Sequence, residues 1–173
     1  MLPPLELGAR LDRILAQGVT LVVGLPARAL DHMSPGPDGS VRDLAFRLFR
    51  SSLAYVDGMD MGELRGAWLR EPAPPDLVDG PSVARYGALV RGRIAGWFEG
   101  AGPREYARTI ATGEGPENAH VLLERTAAQA AQRLRQLHAL ARELGPKRHE
   151  PLPLADFEGL PLPVNLWPER RSP

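Results

Sequence analysis

The chain contains no cysteine. That absence removes disulfides, thiolate metal ligands and cysteine nucleophiles together, and it fits a reducing compartment. Lysine is almost as scarce, since Lys147 is its only occurrence and arginine supplies the remaining basic charge. Neither sign of charge is in excess: 21 basic residues balance 21 acidic ones. Without a basic surplus there is no electrostatic footprint for nucleic acid or an anionic membrane, so neither is expected as a partner. No apolar run approaches the roughly 20 residues of a membrane-spanning helix. The opening MLPPLELGARLDRILAQ is charged within its first turns and lacks the apolar core of a signal peptide. The expectation is a cytoplasmic protein.

What remains is the composition of an ordinary globular chain, 43% apolar and 24% charged, which at 173 residues suits a single domain over 1–173. Strand-like alternation is almost missing, and four helical patterns dominate. The first spans about 7–24, with Leu7, Leu11, Ile14, Leu15, Leu21 and Val22 on one side and Asp12, Arg13 and Gln17 facing outward. A loop, MSPGPDG, precedes the second at about 40–58, where Ser40 is a good N-cap. EPAPPDLVDGPS then breaks the chain for long enough to let successive helices lie parallel. The third pattern, about 83–99, places Ala84, Ala88, Gly92, Gly96 and Gly100 every four residues. The preferred explanation is a smooth groove for another helix of the same chain, ahead of a dimer contact or chance. A turn at GEGPEN leads to the fourth and longest helix, about 117–144, which Gly145 and Pro146 close. The tail, 146–173, has too much proline for helix, and its Phe157, Leu160, Leu162 and Trp167 are expected to lie across the other elements. The fold class read from this pattern is all-α, most simply a four-helix bundle with a long crossover.

Catalytic motifs are sparse. Ser51 and Ser52 have no recognisable base nearby, GEG at 113–115 lacks the lysine of a phosphate loop, and no carboxylate pair stands out. The four histidines do not form a metal pattern. His120 and His138 lie 18 residues apart in one helix, about 27 Å along its axis. His32 sits in a loop and His149 among tail charges, so surface or interfacial roles are expected for all four.

Four runs, GLPARALDH (24–32), GSVRDLAFRLFR (39–50), GPENAHVLLERTAAQAAQRLRQL (115–137) and GLPLPVNLW (159–167), resemble the DinB-like family of bacterial helical bundles in order and spacing. The resemblance implies an up-down-down-up bundle, commonly a homodimer. It also implies a divalent metal held by three histidines in active-looking members, and thiol-dependent transferase or isomerase activity in some relatives. Here the three ligand positions fall on Arg47, Gln129 and Arg133. Arginine has no lone pair to offer and a glutamine amide is a poor ligand for zinc, nickel or iron. No metal cofactor is therefore expected. His120, at a helix start where the family often has histidine, and Gln136 are secondary candidates for pocket lining.

Residues 124–137, ERTAAQAAQRLRQL, place Gln129, Arg133 and Gln136 on the stripe that also carries Leu122, Leu137 and Leu140. If Arg47 faces Arg133, the two repel unless an anion lies between them. An internal carboxylate could supply it, with Asp12, Asp43, Asp57 and Glu99 as candidates. The other source is a small ligand's carboxylate or phosphate, held by two guanidinium forks and the Gln129 amide. The expected function is a metal-free, non-catalytic bundle binding a small molecule, with an anion as one option, or a protein. A metal-independent transferase or hydrolase using the same pocket is the alternative. A structural or regulatory homodimer is a further one.

Overall fold

The computed structural model describes residues 1–145 and 150–168; His149 and the two ends of the tail, 146–149 and 169–173, lie outside the described residues. The elements in chain order are α1 (Pro4–Val23), α2 (Ala27–Leu30), α3 (Val41–Met61), β1 (Glu63–Leu64), α4 (Gly66–Leu69), α5 (Gly80–Gly100), α6 (Pro103–Ala107), β2 (Thr109–Thr112), β3 (Gly115–Asn118) and α7 (Ala119–Leu144). A 3-10 turn, Leu154–Asp156, follows. The chain is mostly helical. Four long helices supply its core, with α1 and α3 each packed against both α5 and α7 and barely touching one another.

Local chemistry sets the helix ends. Pro4 opens α1 three residues before the expected start, because a proline at the first helical position loses no hydrogen bond. Ser40 caps α3: its hydroxyl accepts from the Asp43 backbone N–H at 3.2 Å, and Asp43 Oδ2 accepts from the Ser40 N–H at 3.3 Å. That helix runs past Gly58 and stops at Gly62, whose φ of +78° is the left-handed turn that glycine tolerates best. Asp79 caps α5 by accepting from Ser82 N–H at 2.8 Å, which places its start at Gly80 instead of Val83.

Two expectations change. The largely helical class holds, and β1, β2 and β3 add a small sheet in that order. β1 pairs parallel to β2 through Glu63 and Ala111, and β2–β3 is an antiparallel hairpin pairing Thr109 with Asn118. Of the segment read as a turn, 113–118, only Gly113 and Glu114 turn; Gly115–Asn118 is strand. Ile110, 1% exposed, is the buried side chain that fixes the hairpin to the core. The glycine row on α5 is not a groove for another helix of this chain. Gly92, Gly96 and Gly100 have no atom within 4 Å of where a Cβ would sit, and Ala88 is exposed with them. Close packing occurs on the opposite face, where a Cβ on Gly87 would lie 2.6 Å from the Phe49 ring.

The described tail lies on the helices. Phe157 and Leu160 are buried, and Leu162 and Trp167 are partly buried against the same core. Arg13 and Gln17 of α1 do not simply face water. They donate to the buried carboxylate of Asp156, at 2.6 and 2.7 Å.

Candidate functional site

The polar stripe of α7 divides into two groups with different work. Gln136 is 3% exposed, and its amide donates to the Leu166 carbonyl at 2.9 Å. One turn earlier Gln132 donates to the same oxygen and to the Asn165 carbonyl, while Arg135 reaches the Pro163 carbonyl at 3.4 Å. Proline-rich backbone has few donors and cannot satisfy its own carbonyls, so glutamine amides are well matched to it. Gln136 is a tail anchor that also lines a cleft.

The second group is electrostatic. Arg47 on α3 and Arg133 on α7 converge on Asp38, in the loop between α2 and α3. Arg47 Nη1 donates to Asp38 Oδ1 at 3.0 Å, and Arg133 Nε stands 3.5 Å from Asp38 Oδ2. Arg133 Nη1 also donates to the hydroxyl of buried Ser51 at 3.3 Å, one turn beyond Arg47. The loop is shaped by Gly39, at φ +91°, and closed by Ser34 N–H donating to the Gly39 carbonyl at 2.8 Å. It is also backed by the tail, because the Trp167 ring lies over Gly36 so closely that a Cβ there would be 3.1 Å away.

The partner of the two arginines is thus a carboxylate outside the expected set. Asp12 is bidentate with Arg91 at 3.0 Å, Asp57 pairs with Arg50, and Asp43 is occupied by Ser40 and the Ala73 N–H. Neither these nor Glu99 comes within ion-pair distance of Arg47 or Arg133. Asp38 was missed because a Pro-Asp-Gly loop reads as turn chemistry and nothing local signals that its side chain points inward.

The cluster is short of negative charge. One carboxylate serves two guanidiniums, each with five N–H donors, and Nε of both arginines is buried without a hydrogen-bond acceptor. The side chains of Arg47, Arg133 and Asp38 are only 21%, 17% and 14% exposed. Burial pulls the Arg133 guanidinium below its ordinary pKa range; Asp38 opposes that shift and Arg47 adds to it.

A cleft of about 440 Å³ opens over Arg133, between α7 and the tail. Asp38, Gln129 and Arg133 are polar groups at one end of it, Glu124 and Arg125 line it further along α7, and Pro37, Ala128 and Pro163 belong to its apolar walls. Gln129 does not belong to the core stripe, since it is exposed at the mouth. A second cleft of about 640 Å³ lies on the other side of Gln129 and Arg125, with Ser51 in its wall, so the Ser51–Arg133 contact stands between the two. Arg47 lies behind Arg133 and lines neither cleft.

His120 is elsewhere. Its Nε2 meets the Leu2 carbonyl at 2.8 Å, and it borders a separate cleft of about 470 Å³ with Pro3, Leu5 and Tyr106. It therefore belongs to the N-terminal attachment and not to the arginine site. His138 meets the Glu150 carbonyl at 2.7 Å, and His32 is exposed. Among the described residues no group of three or more His, Cys, Asp or Glu is placed to hold a metal ion. No helix among them is long and apolar enough to cross a membrane. No family model, curated protein or solved structure matches this chain.

Proposed function

We propose that this chain is a DinB-like four-helix bundle in which the metal-ligand positions have become an Arg–Asp–Arg cluster, and that it binds a small molecule in the cleft over Arg133 without a metal. The observation that carries this reading is the meeting of Arg47 and Arg133, 86 positions apart in sequence, at one partly buried carboxylate, with Gln129 lining the cleft that Arg133 enters. The meeting of Arg47 with Arg133, and the place of Gln129 one turn from Arg133 on α7, support the reading that these are the positions a histidine triad would use. Their present chemistry favours hydrogen bonding and charge over coordination.

Binding is preferred to catalysis because of Ser51. It is the hydroxyl nearest the arginines, yet its one hydrogen-bond partner is a donor, Arg133, and no base accepts its proton. A guanidinium can orient an anion but does not abstract a proton at neutral pH. The cleft has the concave, largely apolar form with a few convergent polar groups that suits a small ligand.

The test is a ligand-observed NMR screen of a fragment collection against wild-type protein and Ala128→Trp, whose indole fills the cleft beside Arg133. Binders lost in the variant place the site. A set of binders unchanged by the variant overturns it.

A further inference from the structure

Resting on that reading of the cleft, we infer that its ligand is a small monocarboxylate with an apolar body, that Arg133 holds the carboxylate, and that Asp38 is the internal carboxylate with which it competes. The two contacts of Asp38 are unequal. Its bond to Arg47 is well formed at 3.0 Å, whereas the contact with Arg133 is 3.5 Å and leaves Nε without a hydrogen bond. The weaker contact belongs to the arginine that lines the cleft. An arriving carboxylate therefore takes over Arg133 while Asp38 stays on Arg47, and each cation then has its own anion.

The charge of the ligand follows from the same count. Arg47, Arg133 and Asp38 sum to one positive charge; Asp43 acts through space on Arg47 alone, so the unmet charge falls on Arg133, where a single negative charge neutralises it. A dianion overshoots. Arg125, the other cation of the cleft, is already held by Glu117 through both of its terminal nitrogens. Glu124, in the same wall, lies nine residues up α7, about 13 Å along the axis, and opposes a second negative charge at that end. The other walls are methyl and proline ring surface from Ala128, Pro161 and Pro163, with Val121 beyond Glu124, which suits an aliphatic or aromatic body.

Isothermal titration with benzoate, hexanoate, benzamide, hexanamide and inorganic phosphate tests this on the full chain. The acids are expected to bind at least about tenfold more tightly than their neutral amides and than phosphate. Arg133→Gln should remove that preference, and Asp38→Asn should tighten acid binding about fivefold by removing the competitor. Arg133→Lys keeps the charge without the fork and is the control should Arg133→Gln fail to fold; intermediate affinity is expected. If amides bind as well as acids, and Ala128→Trp blocks both, the cleft reading stands and the carboxylate inference falls. If no probe binds, or binding ignores Ala128→Trp, both fall. Phosphate binding as tightly as benzoate, or Asp38→Asn weakening the acids, overturns the inference alone.

Discussion

Arg47 and Arg133 come from facing helices and are joined through one residue, Asp38, at 3.0 and 3.5 Å. Removing that carboxylate leaves two like charges together in a largely desolvated place. Asp38→Asn is therefore expected to destabilise the fold by about 1–3 kcal/mol. Replacing the group with apolar and neutral residues, as Arg47→Met, Asp38→Asn and Arg133→Met together, should recover most of that loss, because a buried ion cluster is often no more stable than a well-packed substitute. Urea titrations of the single and triple variants decide it. A triple variant less stable than Asp38→Asn would mean that the guanidiniums support the fold by contacts other than charge.

The same placement predicts that Arg47→His, Gln129→His and Arg133→His together create a zinc or nickel site. Histidines at 129 and 133 stand one turn apart on α7 with the third opposite on α3, which is the spacing a helical site needs. Elemental analysis after loading and desalting should find near one ion per chain in the variant and far less in the wild type. A variant that takes up no metal would mean that positions 47, 129 and 133 do not share one site.

Acid should weaken the start of α3. Burial pushes the Asp43 carboxyl upward, but hydrogen bonds from the Ala73 N–H and from Ser40, with Arg47 nearby, outweigh it and hold the pKa below the usual carboxylate range. A carboxylate depressed in this way contributes stability that is fully present above its unfolded pKa and is lost as pH falls through the lower folded value. Wild type should thus exceed Asp43→Asn by about 1 kcal/mol near pH 7; the gap should begin to narrow as pH falls below about 4 and close only below the depressed folded pKa. Thermal melts across that range check the convergence. A gap that stays constant down to pH 2 would assign the effect to shape and not to charge.

Beyond its buried apolar residues, the tail is tied to α7 through the carbonyls of Pro163, Asn165 and Leu166. Gln136→Leu keeps the volume and removes a donor from Leu166, leaving Gln132 as the remaining amide on that oxygen. Proteolysis within residues 160–168 should accelerate several-fold while the global melting temperature moves little, since the lost bond is worth about 1 kcal/mol. A large fall in melting temperature at unchanged cleavage rate would contradict this.

The long helices were legible from their apolar stripes, and Ser40 marked the start of α3; α1, which has no side-chain cap, begins three residues before the expected start. What escaped depended on distant partners. Ile110 in a four-residue strand is too short a signal to separate from a loop, and Asp38 gains its role only when α3 and α7 bring two arginines over its loop. Gln129 and Gln136 share a periodic stripe, yet one is exposed at the cleft mouth and the other is buried under the tail. Periodicity gives direction around a helix. It does not reveal where a non-helical tail will cover that helix, and the tail decides which polar residues are enclosed.

That distinction gives the α5 glycines opposite signs. Gly92 and Gly96 sit in helix interior with open space where a side chain would begin, so Gly92→Ala and Gly96→Ala should each stabilise the monomer by about 0.5–1 kcal/mol through reduced backbone entropy. Gly87→Ala places a methyl 2.6 Å from the Phe49 ring and should cost about 1–3 kcal/mol, since that ring is fully buried and cannot step aside. Melting temperatures over a wide range of protein concentration test both signs and a second role for the exposed row. A dimer packed helix to helix on Gly92 and Gly96 would make the alanine variants lose stability, and lose more of it at high concentration where the wild type is paired. Gains that are independent of concentration mean that this face is solvated in the protein's working state.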